Sequence, residues 1–210
     1  MKLLEADQLE RRPVDKFADR RAELADAALQ TLSELGYART SLREIAQNSQ
    51  FSHGVLHYYF KDKVELITYC VKRYKAACVT RYDQIVSTAR TAEELRIGFA
   101  EGMAQTLRED GSMHRLWYDL RGQSLFESAF RDDVAEIDES LRSMIWRIVS
   151  RYAELSDTES AFPAVTAYPL FDGLFQHALL KYLVDPGAAA EELRTGVELL
   201  LPRLMVGFCK

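Results

Sequence analysis

The stretch TSLREIAQNSQFSHGVLHYYFKDK, residues Thr40 to Lys63, decides how the fold is read. Ser41 stands three residues before Glu44, the spacing at which a serine oxygen and a glutamate carboxylate each satisfy a free backbone N–H at a helix start. A helix is therefore expected to open at Leu42. Leu42, Ile45 and Ala46 fall on one of its faces, and Arg43, Gln47 and Asn48 on the other. A run this short is unstable alone and has to pack. Ser49, Gln50, Phe51 and Ser52 then break the periodicity. Phe51 is expected to plug a small core, and Ser52 to cap a second helix, HGVLHYYF.

Leu56 and Phe60, four apart, form the inward stripe of that second helix. They turn His53, Gly54, Val55, His57, Tyr58 and part of Tyr59 outward or to the edges. A solvated helix face normally carries Glu and Lys, whereas imidazoles, a glycine, a valine and phenols suit a face that lies against a partner. Two short helices joined by a tight turn, the second with such a face, describe a helix-turn-helix whose second helix enters the DNA major groove. In that geometry His53 meets a base edge or a phosphate, His57 meets the groove edge, and Tyr58 and Tyr59 offer hydroxyls to phosphates. Gly54 permits close backbone approach and Val55 suits a thymine methyl. Arg43, Thr40, Ser41 and Ser52 complete the candidate DNA-binding set, and the hydroxyl side chains also serve as caps. Asp62 and Glu65 repeat the capping pattern, and Lys63 in the first turn of the next helix reaches a phosphate. His53 and His57 also have the spacing of helical metal ligands. The Glu of HExxH is missing and no cysteine lies nearby, so no metal or cofactor is expected.

Working outward, Phe17, Leu24, Ala25, Ala28, Leu32 and Leu35 keep a helical period over about Phe17 to Leu35, and Gly36 stops it. After Lys63 the series Val64, Ile67, Val71, Tyr74, Cys78, Tyr82 and Ile85 alternates steps of three and four, a long helical seam without Pro or Gly. Such a helix, about 25 residues and nearly 40 Å long, links the DNA reader to the remainder of the chain.

The combination of Gly36-Tyr37, Thr40-Ser41, Ile45-Ala46, Ser52-x-Gly54 and Tyr59-Phe60-x-x-Lys63-x-x-Leu66 resembles the DNA-binding domain of TetR-family transcriptional regulators over roughly residues 17 to 70. The resemblance implies an all-α protein with an amino-terminal three-helix reader and a helical body for a small effector. It also implies a homodimer on a palindromic operator, most simply a repressor, with Tyr59 and Lys63 as phosphate contacts. One departure stands in the turn, where the family usually has Ala-Gly-Val-Ser and this chain has Ser49-Gln50-Phe51-Ser52. A left-handed backbone at Gln50 would cost roughly 1 kcal/mol or more.

The body reads as helices over about Ala92 to Glu109, Ser112 to Phe126, Phe130 to Leu155, Phe162 to Val184 and Ala188 to Phe208, with Asp110-Gly111 and Ser156-Asp157-Thr158 as breaks. No segment shows the alternation of a strand. Trp117, Tyr118, Phe126, Trp146, Tyr168, Phe171, Asp172 and Phe175 are the candidate effector contacts, with plain bundle core as the competing reading of the aromatics. The last two helices are apolar around most of their circumference, which predicts a second copy of the chain packed against them. Phe171-Asp172-Gly173-Leu174 followed by Ala178-Leu179-Leu180 resembles BetI-like members of the same family. Pro169 is expected to kink this helix and free the Val165 carbonyl.

Composition agrees with this division. The chain has 210 residues, 48% hydrophobic and 28% charged, with a net charge of −5. From Arg11 to Lys75 basic residues outnumber acidic ones 12 to 8, and from Ala76 onward acidic outnumber basic 21 to 14, so the basic surface belongs to the reader. Arg11, Arg12, Lys16, Arg20 and Arg21 form either a basic arm or an ordinary solvated terminus. The expected division is a charged leader over 1–15, the helix-turn-helix domain over 16–63, and a ligand-binding and dimerisation domain over 64–210. No long apolar run and no signal peptide is expected, which points to the cytoplasm without a membrane. Cys70, Cys78 and Cys209 have no CxxC spacing and read as structural. A catalytic alternative, a helical enzyme built on His114, Trp117, Tyr118 and Asp172, lacks a recognisable nucleophile and base, so no enzyme is expected; a helical protein-interaction adaptor is the other alternative.

Overall fold

The computed structural model describes residues 13–207, with side chains from Lys16 onward. Arg11, Arg12 and most of the expected leader lie outside the described residues, as does Cys209. Among the described residues the helices are α1 (Pro13–Leu35), α2 (Leu42–Gln47), α3 (His53–Tyr59), α4 (Lys63–Thr88), α5 (Ala92–Gln123), α6 (Arg131–Ser156), α7 (Ala164–Tyr182) and α8 (Pro186–Arg203), with a 3-10 turn at Ser128–Phe130. Two short strands, β1 (Thr158–Ser160) and β2 (Met205–Gly207), pair antiparallel with Thr158 opposite Gly207. The fold is all-α, as expected. It divides into two compact units, one up to Cys70 and one from Val71 onward, and α4 is a continuous helix that supplies residues to both.

In the first unit, Leu24, Leu32, Ile45, Leu56 and Leu66 are fully buried and Phe60 nearly so. Each such side chain contributes about 1.5–3 kcal/mol of burial, which is what holds the short α2 and α3 in place. Gly36 ends α1 in the left-handed region at φ 74°, where a side chain would be strained. Asp157, at φ 51°, is the only non-glycine residue with positive φ among the described residues. The Ser49–Ser52 turn therefore needs no left-handed residue, and the missing family glycine carries no backbone penalty here.

In the second unit α5 packs against α6, α7 and α8, and α7 packs against both α6 and α8. Its centre holds Phe99, Trp117, Ile148, Phe171 and Val197. Two expectations fail in this unit. Asp110-Gly111 does not break α5, because Asp110 accepts hydrogen bonds from Arg81 at 3.1 Å and Gly111 is buried against Leu179 and Tyr182 of α7. The glycine serves close packing rather than a turn, and the packing offsets its helix penalty of about 1 kcal/mol. The last helix does not reach Phe208: Pro202 sits in its final turn, and the chain beyond Leu204 extends into β2.

Candidate functional site

Two features of the molecule are candidate sites, one in each unit. The first is the α2-turn-α3 element. Ser41 accepts from Glu44 N at 3.2 Å while the Glu44 carboxylate accepts from Ser41 N at 2.7 Å, completing the expected capping box. Ser52 caps α3 by accepting from Val55 N at 3.3 Å. α4 begins with Asp62 accepting from Glu65 N at 2.9 Å, and the Glu65 side chain accepts from Lys61 N, one residue earlier than the expected reciprocal bond.

These caps fix which face of α3 looks outward. Leu56 and Phe60 point into the core, while His53, Gly54, His57 and Tyr58 are exposed and Val55 and Tyr59 half-buried. A side chain at Gly54 would meet nothing within 4 Å, so no packing inside the protein requires a glycine there. The rings of His53 and His57 stand edge to face, with their Nε2 atoms 3.1 Å apart. No group of three or more metal-ligating side chains exists among the described residues. Tyr58 is 74% exposed and meets the Phe17 and Tyr59 rings only edge-on, at 6.3 and 5.0 Å between centres, whereas Tyr59 packs on Phe17 of α1 with ring centres 4.7 Å apart. Arg43, Ser41 and Ser52 are exposed beside this face. Thr40 is not: it is buried, and its hydroxyl donates to the Gly36 carbonyl at 2.7 Å, which commits it to the end of α1. Lys63 is half-buried and donates to the Tyr37 carbonyl.

The second feature is a cavity lined by residues of α4, α5, α6 and α7. Trp117, Tyr118, Tyr168, Phe171, Asp172 and Phe175, six of the expected effector contacts, line it. Phe126 and Trp146 do not. Phe126 lies past the end of α5 and is 84% exposed, while Trp146 is turned away from its cavity-lining neighbour Ile145 and faces the residues of β1. Cys78, Tyr82, Phe99, Met103, Leu141 and Met144 add apolar wall.

The polar groups in and beside the cavity fall into two sets. In one, Arg121 binds Asp172 at 2.5 Å and Asp138 at 3.3 Å, Tyr118 donates to Asp172 at 2.9 Å, and Tyr168 donates to Asp138 at 2.6 Å. Burial first, then the neighbouring carboxylates, push both phenols well above their usual range. In the other set, the Lys75 ammonium is buried at 3% exposure, 3.1 Å from His114 Nδ1. Desolvation lowers Lys75 to about 8 and holds His114 well below its ordinary value, so the imidazole is neutral at pH 7. Sequence patterning did not single out Lys75 and placed His114 only in the enzymatic alternative. The signal was available: Val71, Lys75, Cys78 and Tyr82 share one face of α4 at steps of four, three and four.

Residues 24–70, which hold the capped helix pair, match the family model described as bacterial regulatory proteins of the tetR family. Over these residues the chain is similar to that family. A relative named HTH-type transcriptional regulator BetI, from Paraburkholderia phymatum, is 30% identical over 115 residues, covering 53% of this chain and 58% of that protein. The chain therefore matches little more than half the length of this curated relative. The likeness to solved structures is one of fold. The transcriptional regulator FadR from Bacillus subtilis, solved with stearoyl-CoA, superposes with a TM-score of 0.71 at 17% identity, over 86% of this chain and 97% of that one. A putative transcriptional regulator from Saccharomonospora viridis, solved with choline, gives 0.72 at 16% identity, over 90% and 98%. Among the described residues no helix is long and apolar enough to cross a membrane.

Proposed function

We propose that the protein is a DNA-binding transcriptional regulator, a repressor released from a palindromic operator by a small molecule. The observation that carries this reading is the outward face of α3. His53, Gly54, His57 and Tyr58 stand exposed on a helix held by caps at its own start and at the start of α2, and that helix bears no carboxylate. α3 is about 10 Å long, which suits a major groove about 12 Å wide. Arg43, Ser41 and Ser52 flank it as phosphate donors.

The palindrome requires two copies, and the exposed apolar residues of the last two helices supply the surface: Leu170, Leu180 and Val184 along or just beyond α7 and Leu199 on α8. The effector site is the cavity between α4, α5, α6 and α7. α4 lends it Lys75, Cys78 and Tyr82 and is covalently continuous with the helix-turn-helix, so a ligand that prefers one position of α4 shifts the equilibrium between operator-competent and operator-incompetent states. Such a ligand has to favour the incompetent state by a few kcal/mol to release the DNA.

The test is selection of bound duplexes from a random pool, followed by a salt titration on the selected sequence. A palindromic site and a log–log slope near −0.9 for each phosphate contacted support the proposal. Failure to enrich any sequence, with a flat salt dependence, overturns it.

A further inference from the structure

We infer that the effector is an anion, a small organic acid whose carboxylate is received by Lys75 and His114 while its apolar body fills the rest of the cavity. This deepens the regulator reading and rests on it.

Proton positions decide what this wall can bind. An ammonium group only donates, so the 3.1 Å contact between Lys75 Nζ and His114 Nδ1 makes Nδ1 the acceptor. The proton of the neutral imidazole then sits on Nε2. His114 Nε2 is buried without a partner among the described residues, and so is the indole Nε1 of Trp117, one helical turn along α5. Among the described residues Lys75 makes no ion pair with a carboxylate, and His114 is its one hydrogen-bond partner. The wall formed by Lys75, His114 and Trp117 thus offers an ammonium, an imidazole N–H and an indole N–H. It offers donors and no acceptor. Buried donors left unmatched are costly, and a carboxylate is the group whose lone pairs accept several of them at once.

The carboxylates in and beside the cavity do not fill this role. Asp172 is held by Arg121 and Tyr118, and Asp138 by Arg121 and Tyr168. The same commitments argue against a cationic ligand. A quaternary ammonium such as choline finds aromatic faces here but no uncommitted carboxylate, and it would share the cavity with the Lys75 charge. Fold neighbours hold choline in one case and stearoyl-CoA in another, so the fold does not choose the sign of the ligand; the side chains do. Apolar wall from Phe99, Met103, Leu141 and Met144 sets the rest of the ligand as aliphatic or aromatic.

Calorimetric titration of the full chain with hexanoate, octanoate and phenylacetate, each against its neutral primary amide, and with choline, tests this. At least one acid is expected to bind about 10- to 100-fold more tightly than its amide, as a charge-assisted hydrogen bond requires. Lys75→Met is expected to abolish that preference, and the wild-type comparison stands whether or not the variant folds. Acids and amides of equal affinity across the series, choline binding more tightly than every acid, or an undiminished acid preference in folded Lys75→Met would each overturn the inference. Because no DNA is present, these outcomes are independent of duplex selection: operator binding without acid selectivity sinks only the anion assignment, and acid selectivity without operator binding sinks the regulator reading.

Discussion

Lys63 donates from Nζ to the carbonyl oxygen of Tyr37 at 3.1 Å and lies 3.8 Å from the centre of the Tyr37 ring. A residue expected to touch phosphate is thus also a clamp on the segment just after α1. An ammonium has three donors, so the two roles are compatible. Lys63→Ala is expected to lower unfolding free energy by about 1 kcal/mol, one half-buried hydrogen bond with a modest cation–π contact. It is also expected to reduce the operator salt slope by about 1. Urea unfolding and a salt titration read the two effects separately. A stability loss with an unchanged slope would confine Lys63 to the clamp.

Adjacent tyrosines on α3 should respond differently. Tyr58 is 74% exposed, so Tyr58→Ala is expected to weaken operator binding while stability stays within about 0.5 kcal/mol of wild type. Tyr59 stacks on Phe17, and Tyr59→Ala removes both the ring pair and its burial, at a cost of about 1–2 kcal/mol. Thermal melts beside duplex titrations check this. Equal destabilisation by both variants would mean that Tyr58 is not held out for a partner.

The helix-turn-helix was legible because its determinants are local: Ser41 with Glu44, Ser52 before α3, and Leu56 with Phe60 lie within one or two turns of each other. What escaped depended on distant residues. Asp110-Gly111 looks like a break until Arg81 and α7 are known to cover it. Trp146 looks like a cavity wall because aromatic character does not say which way a helix is rotated. Lys75 escapes because a lysine inside an apolar seam is ordinarily read as a solvated side chain, and its partner His114 is 39 residues away.

The proposed dimer surface separates positions that the sequence treats alike. Val197 is fully buried within the protomer, so Val197→Glu is expected to unfold the second unit and says nothing about pairing. Leu180 is 65% exposed, so Leu180→Glu is expected to leave stability of the isolated protomer nearly unchanged and to yield monomers that release the operator. Sedimentation velocity decides it: a clean dimer in the Leu180→Glu, Val184→Glu double variant moves the interface off α7.

Lys75 makes stability depend on pH in a direction opposite to that of a paired lysine. Its folded value of about 8 lies below the ordinary 10.5, so below about 8 both folded and unfolded chains hold the proton and the burial penalty is present in full. Between about 8 and 10.5 the unfolded chain holds the proton more strongly, and stability rises with pH, by on the order of 3 kcal/mol across the window. Other groups face the same space: Tyr74 and Cys78 on α4, His114 and Arg121 on α5, Asp138 on α6 and Asp172 on α7. Cys78 opposes the trend, because burial raises its thiol above the ordinary 9.0, and the unfolded chain loses that proton first. The measurement is therefore the difference in unfolding free energy between wild type and Lys75→Met from pH 7 to 10.5, in which Cys78 largely cancels. Wild type is expected to gain on the variant as pH rises. A bound carboxylate reverses the preference by favouring the charged lysine, so acid affinity should fall about tenfold for each pH unit above the ligand-free folded value of about 8, until the raised value of the bound state is reached. A flat difference curve would mean that the Lys75 ammonium is solvated in the folded protein and carries no burial penalty.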